Sequence, residues 1–318
     1  MAVRQESLQS ENLAVTLPRK RFNRMKRNYQ LYLFVLPMIV YFIVFRYFPM
    51  YGVQIAFKDF NPVSGIWGSE WIGFEHFERF FNSSEFALIL KNTILINVYN
   101  LFLGFPLPII LAIMLNQVIN LRFKKTVQTV IYAPHFISTV VIVGMLQVFL
   151  SPRSGVVNTL ISKLGIEPVF FMARPELFKA IYVLSEIWQN AGWGTIIYIA
   201  ALASISPELH ESAVVDGASK LQRIRHIDIP GIMPTAIILL ILESGRMLSL
   251  GFEKVFLMQN NLNREASEVI STYVYKVGLT QADFSYATAI GLFEAVVSLV
   301  ILLSVNTLAK KVSDTSLW

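Results

Sequence analysis

The chain has 318 residues, of which 54% are hydrophobic and only 15% charged, with a net charge of +6 and a mean hydropathy of +0.54. Soluble domains carry roughly 25% charged residues, so this chain cannot cover a globular surface of 36.1 kDa with charge and belongs in a membrane. There is no cysteine, no HExxH-type histidine spacing and no GxxxxGK[ST], which excludes disulfides, thiolate metal sites, cysteine nucleophiles, a zinc hydrolase motif and a P-loop.

A bilayer core of about 30 Å needs about 20 apolar residues in helix. Six such stretches follow in chain order: Tyr29–Phe48, Ala87–Leu115, Thr126–Phe149, Leu177–Ala203, Thr235–Met258 and Ala287–Leu308. The first is too long for the apolar core of a signal peptide and lacks a small-residue cleavage site after it, so it is expected to be a retained helix. Between the first two spans, the outer loop 49–86 gathers Trp67, Trp71, Phe74, Phe77, Phe80 and Phe81. Phe74, Phe77 and Phe81 repeat at helical spacing, which predicts a short helix lying at the membrane interface. The second span contains Gly104, Pro106 and Pro108, so a kink is expected there.

Orientation follows from Lys and Arg. With the N-terminus inside, the segments 1–28, 116–125, 204–234 and 309–318 hold 15 of them, against 7 in 49–86, 150–176 and 259–286. Both termini are therefore expected in the cytoplasm. Much of this bias sits in Arg19, Lys20, Arg21, Arg24, Lys26 and Arg27, a cluster suited to anionic lipid. The expected organisation is a basic segment 1–28, one six-helix membrane domain 29–308 and a short tail 309–318.

The segment Ser206–Pro234, SPELHESAVVDGASKLQRIRHIDIPGIMP, differs from the other loops. Ser206 suits an N-cap, Pro207 the first helical position and Glu208 the positive helix end. A helix can run to Asp216, where Gly217 supplies a left-handed stop. Ser219 and Gln222 form a capping box that starts a second helix, and Pro230 is expected to end it. The product is a stiff elbow over 206–230 with a small-residue surface at Ala213, Gly217, Ala218 and Ser219, which lets another backbone come close.

The spacing of Glu211, Ala213, Gly217, Ile227 and Pro230 resembles the EAA motif of the permease subunits of bacterial ABC importers. The Asp216-Gly217-Ala218-Ser219 core resembles the carbohydrate-uptake branch; Ser212 stands where that motif has its middle Ala, and Ile229 where it has Leu. Asn92-Thr93, Pro134, Gly155 with Asn158 and Leu160, Trp188 with Gly192, and Ala201-Leu202 resemble sugar permeases of the maltose type. The stretch Tyr32–Phe60 and the closing Ser316-Leu317-Trp318 resemble a Gram-positive subgroup that takes up complex or acidic oligosaccharides. About 290 residues fit this family. The resemblance implies an all-α, polytopic type I ABC importer permease fold in the cell membrane, and a division of labour. A second permease would complete the path, two ATPase subunits would bind ATP and Mg, and an extracellular solute-binding protein, lipid-anchored in such bacteria, would deliver an oligosaccharide. No cofactor is expected in this chain. Glu211, Ala213, Asp216, Gly217, Ala218, Ser219, Ile227 and Pro230 would then couple to an ATPase.

Charges at mid-bilayer cost about 2.5–3.5 kcal/mol on insertion scales, yet Glu186, Glu243, Arg246 and Glu294 lie deep in predicted spans. Glu243 and Arg246 share a helix face and can pair. These four either line the translocation path or tie helices together. Trp188, Asn190 and Trp193 follow Glu186 and combine flat rings with an amide, as carbohydrate sites do, although they cover a broad arc of the helix and Trp193 also suits an aromatic anchor. Asn97 and Asn100 are expected to bond across helices. Two rival functions remain. A proton-coupled secondary transporter could use the same carboxylates, but the chain shows no inverted repeat. A membrane enzyme needs a nucleophile, base or metal constellation, and none has suitable spacing.

Overall fold

The computed structural model describes residues 28–313 and 315–318. The basic cluster Arg19–Arg27 lies outside the described residues. The described chain is almost wholly helical; its one sheet is a two-residue antiparallel ribbon, β1 (Lys58–Asp59) with β2 (Glu70–Trp71).

The first long helix, α1 (Tyr29–Phe57), is apolar on every side, and its most apolar window buries nothing against the rest of the chain. After the ribbon, α2 (Glu75–Phe81) is the short outer helix that the aromatic spacing predicts. Its Phe74 and Phe81 remain exposed, whereas Phe80 is fully buried against Phe86, Tyr286 and Phe293. Part of that aromatic row is therefore core.

Helix α3 (Ser84–Asn116) contains the expected irregularity. It takes the form of a wide π-turn over Asn100–Gly104, placed directly before Pro106 and Pro108. A wide turn accommodates the missing prolyl N–H groups and the ring clash with the preceding turn, so the helix continues. The predicted third span is not one helix. It is α4 (Leu121–Phe136) and α5 (Thr139–Phe149), bent by 98° across Ile137-Ser138. Pro134 tightens the end of α4 into a 3₁₀ turn, and Ser138 caps α5 by accepting from Val141 N–H. The outer helix α6 (Val156–Lys163) follows.

The fourth long helix, α7 (Pro175–Ala203), has 29 residues and buries ten of them, more than any other helix. Its close fit depends on Gly192, where any Cβ would run into the backbone carbonyl of Ile131 on α4. Next come α8 (Pro207–Val215) and α9 (Lys220–Ser244). Two expectations fail here. Pro230 does not end the second elbow helix, because a π-turn over Ile224–Asp228 carries the chain through Pro230 and Pro234 into the membrane stretch. The predicted fifth span also stops early. Helix α9 ends at Ser244, and an irregular linker with Gly245 and Gly251 leads to the separate α10 (Phe252–Met258). The short α11 (Ile270–Tyr275) and the long α12 (Phe284–Val312) complete the chain.

Four helices (α1, α3, α9 and α12) are long and apolar enough to cross a membrane, and the bent pair α4–α5 makes a fifth if taken together. Helix α7 is long enough but too polar to count by composition. Its polar run faces the interior of the bundle, which is why sequence hydropathy understates it.

Candidate functional site: a capped elbow and a polar cavity

The elbow is built from adjacent residues. Helix α8 ends in a Schellman motif: Ala218 N–H donates to Ala213 O at 2.8 Å and Gly217 N–H to Val214 O at 3.0 Å. Gly217 holds φ at +75°, a left-handed conformation that favours glycine, and the space around it is open within 4 Å. The expected capping box is present: Ser219 N–H donates to Gln222 Oε1 at 2.7 Å and Gln222 N–H to Ser219 Oγ at 3.4 Å. Ser206 occupies the N-cap position of α8 but makes no side-chain capping bond. Glu211, Asp216, Gly217 and Ser219 are exposed, Ala213, Ala218 and Ile227 half-buried, and Pro230 faces outward on α9. Helix α8 buries no residue at all, and Leu209, Val214, Val215 and Leu221 present apolar side chains to the outside.

The second feature is a cavity of about 750 Å³ walled by α3, α5, α7, α9, the linker after it and α10. Asn97, Asn100, Glu186, Asn190, Trp193, Glu243 and Arg246 all line it. Glu243 Oε1 and Arg246 Nη1 stand 3.8 Å apart, with both side chains more than half exposed, so the predicted pair exists and is loose. Two path candidates lie elsewhere. Trp188 is two residues beyond Glu186 on a helix, which turns it to an outer face where it is 51% exposed. Glu294, half-buried on α12, does not line the cavity.

Asn97 and Asn100 do not reach across helices. The Asn97 amide donates to Thr93 O of its own helix, and Asn100 Oδ1 is buried without a partner among the described residues. The cross-helix amide is Asn92, which donates to the carbonyls of Glu265 and Glu268.

Residues that the sequence did not single out complete the wall. Lys254 on α10, almost wholly buried, donates to Glu186 Oε2 at 2.7 Å, and its ammonium lies 5.2 Å from the centre of the Tyr182 ring. Glu186 Oε1 accepts from the Asn190 amide at 2.7 Å, and Asn190 Oδ1 is 2.9 Å from His135 Nδ1. The His135 ring stacks on Trp193 with centroids 4.5 Å apart. Gln189 donates to the Ile137 carbonyl left open at the α4–α5 break. Helix α7 thus fastens both the broken span and the short α10. Lys254 had one visible signal, a lone lysine inside an apolar stretch. His135 had none, since its partners come from another helix. Among the described residues, no group of three or more His, Cys, Asp or Glu side chains could hold a metal ion.

Residues 104–314 match the family described as "Binding-protein-dependent transport system inner membrane component". Two Bacillus subtilis proteins are similar over nearly the full length of both chains. Protein LplB is 44% identical over 92% of this chain and 92% of its own. The polygalacturonan/rhamnogalacturonan transport system permease protein YteP is 46% identical over 91% and 90%. Among solved structures, a bacterial alginate ABC transporter crystallised with an alginate pentasaccharide-bound periplasmic protein contains a similar chain. It has a TM-score of 0.85 and 42% identity over 93% of this chain and 99% of that one.

Proposed function

The chain belongs to the family of binding-protein-dependent transport inner membrane components, and on that premise we propose that it is the permease subunit of an ATP-driven importer of an acidic oligosaccharide. It crosses the cell membrane six times, counting the bent pair and α7 as one span each, with both termini in the cytoplasm. The domain bounds are 1–28, 29–308 and 309–318. A second permease completes the path, two ATPase subunits drive it, and the extracellular solute-binding protein is probed as a lipid-anchored receptor.

The observation that carries this reading is the continuity of the elbow with the membrane. A capped, glycine-stopped turn leads straight into α9, and the far end of α9 supplies Glu243 to the cavity. A push on the elbow therefore travels along one continuous helix for the whole of α9, about 38 Å at 1.5 Å per residue. Glu211, Ala213, Asp216, Gly217, Ala218, Ser219, Ile227 and Pro230 form or follow the ATPase-facing elbow. Glu186, Asn190, Trp193, Glu243 and Arg246 line the sugar path, and Trp188 and Glu294 stand outside it.

The acidic preference is supported by similarity to a polygalacturonan/rhamnogalacturonan transport permease and to an alginate transporter, and by the exposed guanidinium of Arg246 on the path. The carboxylates and amides nearby can accept from, and the amides donate to, sugar hydroxyls. The test is uptake by the reconstituted complex of both permeases, the ATPases and the receptor. ATP-dependent uptake of uronate oligosaccharides is expected. Uptake that persists without the ATPases under a proton gradient would replace this reading with the secondary-transporter one. Orientation is checked in the naturally cysteine-free chain: Val63→Cys should be labelled in whole cells and Lys310→Cys only after permeabilisation.

A further inference from the structure

Helix α8 buries no residue, so its own apolar packing is slight. A buried polar group lies at its base. Asp228 lies in the π-turn of α9 and is 0% exposed. Burying a carboxylate is costly unless it is paired and hydrogen-bonded, and Asp228 meets partners from two other elements. Its Oδ2 accepts from Gln117 Nε2 at 3.1 Å, and Gln117 is the C-cap of α3. Its Oδ1 lies 3.3 Å from Nε2 of His210, on α8, an ion-pair approach without a hydrogen bond. Arg223, one wide turn back on α9, buries its Nε with no hydrogen-bond partner among the described residues.

We propose that Asp228 is the positioning residue of the elbow, tying α8 and the start of α9 to the inner end of α3 so that the three move as one body. The proposal rests on the elbow being the ATPase-docking element and adds how its motion reaches a second wall of the path. Helix α3 carries Asn97, Asn100 and Phe105 into the cavity, as α9 carries Leu239 and Glu243. Through this tie one displacement of the elbow moves both walls. Without it, α8 could swing about the Ile205-Ser206 junction while α3 stays still.

The test uses the complete importer in vesicles, with two readouts that a purely stabilising role would not move together. One is sugar transported per ATP hydrolysed. The other is the distance distribution between spin labels at Glu208→Cys on α8 and Ile119→Cys just past α3, measured with and without trapped nucleotide. In the wild-type background one narrow distribution is expected. Asp228→Ala should broaden it and lower the sugar-to-ATP ratio about fivefold or more, while hydrolysis continues. Asp228→Asn, which keeps the shape and the hydrogen-bonding capacity, should lie between the two. If Asp228→Ala does not assemble, Gln117→Leu removes one arm with the carboxylate left in place, and the same two measurements apply. A narrow distribution with the wild-type ratio in these variants overturns the tie. A cross-linker placed at Val215→Cys reports separately on docking: if it never captures an ATPase subunit, the docking role itself fails, whatever Asp228 does.

Discussion

The elbow and the cavity are held together in opposite ways. In the elbow, every bond that sets the bend joins residues no more than five apart, and the helix before the bend buries nothing. In the cavity wall, the decisive contacts join residues 55 and 68 apart in sequence, His135 with Asn190 and Lys254 with Glu186, and Lys254 is nearly inaccessible to water. The bend of the elbow is set by neighbouring residues, and its surface is left open. The cavity wall has its shape only because distant helices meet. Substitutions in the elbow should therefore impair transport and leave the fold intact, and substitutions at the buried contacts of the wall should lower stability first.

Gly217→Trp is the sharpest way to break that contrast. The left-handed backbone costs a non-glycine residue roughly 1–2 kcal/mol, and among the described residues no atom beyond its chain neighbours lies within 4 Å of the new Cβ. Uptake should vanish while the amount of protein in the membrane stays at the wild-type level; uptake at the normal rate would remove the elbow from the coupling scheme. Lys254→Met comes next and should fail in the opposite manner. It leaves Glu186 facing an apolar neighbour, and losing one partner of a buried pair costs about 3–5 kcal/mol. Because the Glu186 side chain is one-third exposed, the lower end applies. A lower thermal midpoint of the purified complex is expected, with much of the loss recovered in Lys254→Met/Glu186→Gln. A single variant as stable as the parent would make the pair dispensable.

The same division explains what could be read from sequence. The Gly217 stop and the Ser219–Gln222 box are local, and so were visible in residue order. The second span's irregularity was visible too, because Gly104, Pro106 and Pro108 announce it. The end of α9 was misplaced because Glu243-Ser244-Gly245-Arg246 interrupts an apolar run that hydropathy alone carries on to Met258. The passage of α9 through Pro230 was missed because a π-turn is a property of hydrogen-bond register, which residue types do not display. The bend between α4 and α5 had Pro134 as a cue, but its stability depends on Gln189 and Asn190 of α7, which no local window contains. Asn97 and Asn100 illustrate the converse: amides in a span suggest cross-helix bonds, yet these two open onto a cavity and Asn92 makes the ties.

Gly192→Ala probes the wall where no charge is involved. The added methyl would overlap the Ile131 carbonyl, so α7 must move away from α4, and overpacking of this kind costs about 1–3 kcal/mol. A measurable drop in thermal midpoint is expected, with the sugar-to-ATP ratio of the surviving complex unchanged. A variant of full stability but altered ratio would show that α7 takes part in coupling and would blur the line between the two regions.

Arg246→Ala should have the smallest effect on the fold and the most specific effect on transport. Its pairing with Glu243 is 3.8 Å long and the guanidinium is 74% exposed. Exposed pairs of this type contribute about 0–1 kcal/mol, so the thermal midpoint should barely change. Yet Arg246 lines the cavity beside Glu243, and without it that stretch of wall presents only the carboxylate of Glu243 to a passing uronate. Uptake of an acidic oligosaccharide should fall relative to that of a neutral one of equal length, and raising the salt concentration should narrow the difference in the parent protein, because an exposed charge is screened. Equal losses for both sugars would mean that Arg246 shapes the cavity without sensing charge. A large loss of stability would mean that the loose pair is a structural tie after all, and that the wall depends on it as it depends on Lys254 and Glu186.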